Sequence, residues 1–229
     1  MTRTTNARVA GFTYLFYAAI GICSEFLMHQ ARGVDGGVAM LTRIGQYATN
    51  VRLSILITVL ESISALVLGV TLYGITRDED HELAMLVLVC RVAEGVLGSL
   101  NIPKYLGLLA AANAGTGASD IATTNALRAF VLMPGPSVPL GTIFFAVGSA
   151  IFCWLLLRGR LVPVSISWLG LIASCLLVVV LPLQLAGFST GPLTGYYLWL
   201  PALIFQIALA LWLLIKGVAT PQSGPRPLK

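Results

Sequence analysis

Four ionisable residues stand inside long apolar stretches of this chain: Glu25, Glu61, Glu94 and Arg91. A charge at bilayer depth costs several kcal/mol on most scales, so it persists only when paired, neutralised or facing a polar cavity. At an effective dielectric of about 20, two charges about 4 Å apart interact by about 4 kcal/mol. Arg91 is therefore expected to hold one glutamate ionised. The other two feel desolvation and like-charge repulsion, and both effects favour the neutral acid. At least one glutamate is expected to carry a proton at neutral pH. The chemistry this permits is general acid–base catalysis in an apolar setting, with Glu61, Glu94 and Glu25 as candidate catalytic residues. Arg91, Tyr14, Asn101 and Tyr73 are the candidate binding residues around them.

Helical spacing shows which residues share a face. Gly11, Tyr14, Ala18, Gly21 and Glu25 form one stripe of small and polar groups. Ser54, Thr58, Glu61 and Ala65 form a second, and Arg91, Glu94, Gly98, Asn101 and Tyr105 a third. Small residues let membrane helices approach closely, and polar ones hydrogen-bond across the contact. Three stripes on consecutive segments point to one shared interior. At a rise of about 1.5 Å per residue, Glu61, Arg91 and Glu94 each lie roughly 12–17 Å from a segment end and meet near the midplane. Glu25, Arg52 and Asn101 fall nearer the opposite leaflet from the N-terminus, which suggests a cavity open outward or sideways.

Plainer roles compete with these. Arg91 with Glu61 or Glu94 also reads as an ion pair that fixes packing, and Glu25 as a side chain snorkelling to the interface. Arg52 reads as an interfacial anchor, Gln184 and Gln206 as interhelical glue, and Asn101-Ile102-Pro103-Lys104 as a helix end.

The segments that carry the stripes define an all-α, polytopic transmembrane helix bundle. Of 229 residues, 57% are hydrophobic and 10% charged, with mean hydropathy +0.89; a soluble domain carries about 25% charged residues. About twenty apolar residues span a hydrocarbon core about 30 Å thick. Six stretches qualify, at 8–28, 51–75, 83–101, 139–157, 164–185 and 196–215, within a single domain over 1–229. The third is expected to continue past Pro103 to about Ala112, kinked or ended by the proline. A seventh span results if 121–133 dips into the membrane. Residues 30–50 are mildly amphipathic through Met40, Leu41, Ile44 and Tyr47 and suit the interface. No cleavage site follows the first stretch, so it reads as a retained helix.

Lys and Arg near segment ends favour the cytoplasmic side. With the N-terminus inside, that side holds Arg3, Arg8, Arg77, Arg158, Arg160, Lys216, Arg226 and Lys229, against Arg32, Arg43, Arg52, Lys104 and Arg128 outside. Trp154, Trp168 and Trp212 then mark the inner interface and Tyr196, Tyr197 and Trp199 the outer one. The expected location is the cell membrane, with both termini cytoplasmic.

The net charge of +5 implies no nucleic-acid partner, since the basic residues sit at segment ends and form no stripe with interleaved aromatics. Cys23, Cys90, Cys153 and Cys175 lie in apolar stretches at unrelated spacings and read as free thiols. Only His29 and His81 are present, in loops expected on opposite sides, which argues against a zinc or copper site. Gly187-Phe188-Ser189-Thr190-Gly191 fits a nucleophile-elbow pattern but falls in a turn between apolar helices rather than after a strand. Asp78-Glu79-Asp80-His81-Glu82 reads as a solvated charge run. No cofactor and no metal are expected.

The opening Ala7-Arg8-Val9-Ala10-Gly11, with Tyr14-Leu15, Gly21 and Glu25, resembles a bacterial membrane family catalogued as domain of unknown function 4386. Leu72-Tyr73 before Arg77, then Arg91, Glu94, Gly98 and Asn101, extend the resemblance, which is clearest over 7–101. It implies a helical membrane protein and supplies no catalytic residues.

Function is then read from the residues. An acid in a dry pocket, with Tyr14, Tyr17 and Tyr73 near it, suits metal-independent protonation of a lipophilic, isoprenoid-like substrate, as in cyclisation or isomerisation. In size, segment number and intramembrane acids the chain is similar to the small membrane terpene cyclases of meroterpenoid pathways, with no motif in common. Two alternatives stand beside it. One is a proton-coupled small-molecule transporter, against which the missing internal repeat counts. The other is a non-catalytic lipid-binding protein. Expected partners are membrane lipids and a lipophilic small molecule.

Overall fold

An apolar segment in lipid satisfies its backbone polar groups within itself, and the helix is the single-segment way to do so. The structure, a computed structural model, describes residues 2–32, 38–114, 140–188 and 196–219, and all regular structure among them is helical. In chain order the helices are α1 (Arg3–Arg32), α2 (Val38–Gln46), α3 (Ala48–Thr76), α4 (His81–Ser99), α5 (Asn101–Ala114), α6 (Leu140–Gly159), α7 (Val164–Leu185) and α8 (Tyr196–Ile215). Six helical units among the described residues are long and apolar enough to cross a membrane, with α4 and α5 counting as one over His81–Asn113. The protein is a multi-pass membrane protein.

Local chemistry sets the helix ends. The Asp80 side chain accepts from the Leu83 backbone N–H at 3.1 Å and caps α4, with Glu82 in the first turn facing the positive end of the helix dipole. The third span continues past Pro103 to Ala114 as expected, but its interruption falls at Leu100 rather than at the proline. There the Leu100 N–H turns back to Leu97 O, and the Asn101 side-chain amide donates to Gly98 O at 3.1 Å. Pro103 sits in the first turn of α5, where no intrahelical N–H bond is lost. The proline therefore starts a helix rather than bending one. The amphipathic segment forms α2, which lays Ile44, fully buried, against α5. The segment 121–133 and residues 189–191 of the elbow-like pattern lie outside the described residues.

The long helices close into a ring. Helix α1 packs on α3, α3 on α4, α4 on α6, α6 on α7, α7 on α8, and α8 returns to α1. The chain's start, the α3–α4 turn, the α6–α7 turn and the end of α8 gather at one face, called here the terminal face. Ion pairs hold it: Arg3 with Glu79 at 3.4 Å and Arg158 with Asp80 at 2.9 Å. The Ala219 N–H adds a bond to Leu161 O at 3.0 Å. The charge run after span two is thus partly engaged in clasping the bundle, beyond simple solvation. Helices α2 and α5 cover the far face.

Three apolar clusters fill the ring, one of them, around Phe145, Leu177 and Ala202, between α6, α7 and α8. The largest lies toward the terminal face and joins Ala10, Leu68, Leu72, Val87, Phe152 and Leu209 with their neighbours. The second, around Met28, Ile44, Val51, Tyr105 and Leu108, lies toward the far face. Outward-facing Phe12, Phe26, Leu56, Val70, Val96, Ile172 and Val179 are exposed, as lipid contact requires.

Candidate functional site

Between the terminal-face and far-face clusters, and against Phe145 of the third, sits a polar layer built on Arg91. Its side chain is fully buried. Nη1 donates to Glu94 Oε2 at 2.9 Å, one turn along the same helix. Nη2 donates to the Tyr14 hydroxyl and to Ser149 Oγ, both at 3.0 Å. The guanidinium also lies 4.9 Å from the centre of the Phe145 ring and 5.6 Å from that of Tyr14. The second glutamate oxygen, Oε1, accepts from the Tyr17 hydroxyl at 2.7 Å. The ion pair lies within α4, so it cannot itself join helices; Tyr14 and Tyr17 tie it to α1, and Ser149 ties it to α6.

Close helix approach makes this possible. A Cβ on Gly148 would stand 2.8 Å from the Cys90 Cβ, so α6 reaches α4 only with glycine there. A Cβ on Gly69 would stand 3.1 Å from the Arg91 Cβ, which lets α3 cover the other side. By contrast Gly11, counted with the acid stripe, packs against α8 at Ala210 and Leu214.

Glu61 stands beside this knot and is not tied into it. It is half-buried, and among the described residues it makes no hydrogen bond and no ion pair. Its Oε1 lies 3.4 Å from where a Gly21 Cβ would be, so the glycine opens α1 to the carboxyl one turn beyond Tyr17. Glu61 is within electrostatic range of Glu94 on one side and Glu25 on the other. Glu25 is exposed and nearer the far face. Tyr105 feels Arg32, Glu25 and Glu61 together. The result is one polar line, Arg91–Glu94–Tyr17–Glu61–Glu25, that runs from the closed middle of the bundle toward the far face, with Arg32 and Tyr105 at its outer end.

Two candidate binding residues lie elsewhere. Tyr73 is placed at the terminal face, its hydroxyl 3.4 Å from His81 Nδ1. It follows Glu61 by twelve residues, roughly 18 Å of helix. Asn101 closes the end of α4, as the helix-end reading has it. The hydroxyls of α3 also differ from expectation. Those of Thr58, Ser62 and Ser64 bond the carbonyl four residues back and do not cross to a neighbour, the usual recourse of Ser and Thr in a helix. Ser149, Phe145 and the direct role of Tyr17 escaped the sequence reading. A signal for the first two exists in the buried series Gly141, Phe145, Gly148, Ser149 and Phe152 on α6. Among the described residues no group of three His, Cys, Asp or Glu side chains is placed to hold a metal ion.

A family model described as Domain of unknown function (DUF4386) matches residues 9–217, and the chain belongs to that family. No curated protein and no solved structure matches it.

Proposed function

We propose that the polar line performs acid–base chemistry on a lipophilic, isoprenoid-like substrate, with Glu61 as the group that gives and takes the proton. The observation that carries this reading is the division of labour between two neighbouring carboxyls. Glu94 is held by a buried guanidinium and a tyrosine hydroxyl, whereas among the described residues Glu61 has neither. Along the line, among the described residues, three glutamates face two arginines, Arg91 and Arg32, so one carboxyl is in excess. Glu61, half-buried beside Gly21, is the natural holder of that excess as a neutral acid. Glu25 would exchange protons with the far face, and Arg91 would fix Glu94 and its neighbours while the apolar cluster below closes the terminal face.

That closure favours an enzyme over a proton-coupled transporter. A relay open at one end and sealed by Leu68, Leu72 and Phe152 at the other suits proton delivery to a bound molecule. A transporter needs access from both sides in turn. Protonation-driven isomerisation or cyclisation of a polyene is the reaction type this arrangement suits, as in terpene-cyclase-like chemistry. The positive-inside pattern supports a cytoplasmic position in a cell-membrane protein for the terminal face, with Arg3, Arg77, Arg158, Arg160 and Lys216.

The test uses the full chain in lipid nanodiscs, incubated in D₂O with farnesyl and geranylgeranyl alcohols and with prenylated quinones. Mass spectrometry should find deuterium at carbon in at least one of these polyenes, and Glu61→Gln should abolish it. Native protein that transfers no deuterium to carbon while acidifying liposomes along a solute gradient would replace this reading with transport.

A further inference from the structure

A cleft of about 400 Å³ opens at the terminal face between the α6–α7 turn and the end of α8, lined by Arg160, Pro163, Val164, Trp212, Lys216 and Gly217 among others. Its backbone is unusual at one point. Arg160 has φ +49°, and among the described residues it alone is a non-glycine with positive φ, a left-handed conformation that L side chains rarely adopt. The Leu161 N–H reaches back to Leu156 O at 3.1 Å, closing the end of α6 in the Schellman manner, where the left-handed residue is ordinarily glycine. A glycine is present, but one position early. Gly159 packs against the Glu79 side chain, where a Cβ would collide. The strained position is left to an arginine, whose side chain reaches the cleft.

The charges around the cleft are unevenly matched. Arg3, Arg77 and Arg158 at this face each have a carboxylate within 3.7 Å or less. Arg160 and Lys216 are exposed, and neither has an ion-pair partner among the described residues. Helix α7 begins here at Pro163 with no side-chain cap, so its first N–H groups and the positive end of its dipole add to the same potential. The depth is that of lipid head groups. Trp154 and Trp168 are exposed within about two turns of the same helix ends, and Trp212 lines the cleft itself, an aromatic belt of the kind found at the membrane–water boundary.

We propose that this cleft binds the phosphate of an anionic phospholipid, gripped by Arg160 and Lys216, with Trp212, Pro163 and Val164 against its glycerol and upper acyl chain. Two cations with no ion-pair partner among the described residues, above an apolar, tryptophan-lined wall, match an anionic head group on a hydrophobic stem. The tryptophan level selects the lipid over a free phosphate ion. This site is separate from the acid line and does not depend on its function.

The full chain, purified in neutral detergent and given equal phosphatidylglycerol and phosphatidylcholine, should retain phosphatidylglycerol selectively in native mass spectrometry. The Arg160→Gln/Lys216→Gln double variant should lose that retention about thirtyfold, the equivalent of about 1 kcal/mol for each basic residue, with phosphatidylcholine unchanged. Inorganic phosphate should not displace the lipid. Equal retention by the double variant, equal retention of phosphatidylcholine, or displacement by inorganic phosphate would each overturn the proposal. Arg160→Gly supplies a control for folding. By removing the left-handed strain it should raise the melting temperature in lipid-free detergent while weakening phosphatidylglycerol retention. A lowered melting temperature with unchanged retention would mean that Arg160 only shapes the turn.

Discussion

At the scale of residues, Arg91 and Glu94 form a buried, hydrogen-bonded ion pair, and removing one member leaves the other charge uncompensated. Such a loss typically costs about 3–5 kcal/mol, so Glu94→Gln should destabilise the protein by that order in detergent denaturation. Tyr17→Phe removes one hydrogen bond to the carboxylate and should cost about 2 kcal/mol. Glu61→Gln removes no hydrogen bond or ion pair seen among the described residues and should change stability by less than about 0.5 kcal/mol. The order of these three losses, measured by one denaturation method, checks the division between a structural and a working carboxyl. Arg91, Glu94 and Glu61 were legible in the sequence because charge in an apolar stretch is conspicuous, and Tyr14 because it shares a helical stripe with Glu25. Ser149 and Phe145 were not, since a hydroxyl and a ring in an uncharged span look like ordinary packing. Tyr73 shows the opposite error. A tyrosine on the right helix was credited to the site although twelve residues of rise carry it away.

Among the elements, α4 matters most, because α3 and α6 pack on it around Arg91 and α1 reaches it through Tyr14 and Tyr17. The fit depends on α6 coming within glycine distance. Gly148→Leu would drive a side chain into Cys90 and should destabilise by about 1–3 kcal/mol. At Gly98 a Cβ meets nothing within 4 Å, so Gly98→Ala should be neutral or raise stability by about 0.5 kcal/mol through helix propensity. Thermal unfolding of the two variants checks both. Spacing alone had placed Gly98 and Gly11 in the acid stripe, yet one faces open space and the other serves α8. A stripe of small residues reports a contact but does not say with which helix. The break at Leu100 was hidden for a related reason, because Pro103 marks a helix start as readily as a kink.

For the whole molecule, the number of spans was plain from hydropathy, since lipid forces each apolar run of about twenty residues into a helix. Ring closure by α8 on α1 was not, because nothing in local periodicity records which distant helix becomes the neighbour. That closure packs the largest apolar cluster between the polar line and the terminal face, while the exposed Glu25 stands at the line's other end among the described residues. The central claim is that Glu61 is the free acid of that line and Glu94 the captive one. An apolar carbodiimide, which couples to carboxylic acids that hold a proton in an apolar setting, separates them directly. After treatment of the native protein in nanodiscs at pH 7, peptide mass spectrometry should find the adduct on Glu61 and none on Glu94. An adduct on Glu94, or an unmodified Glu61, would contradict the account.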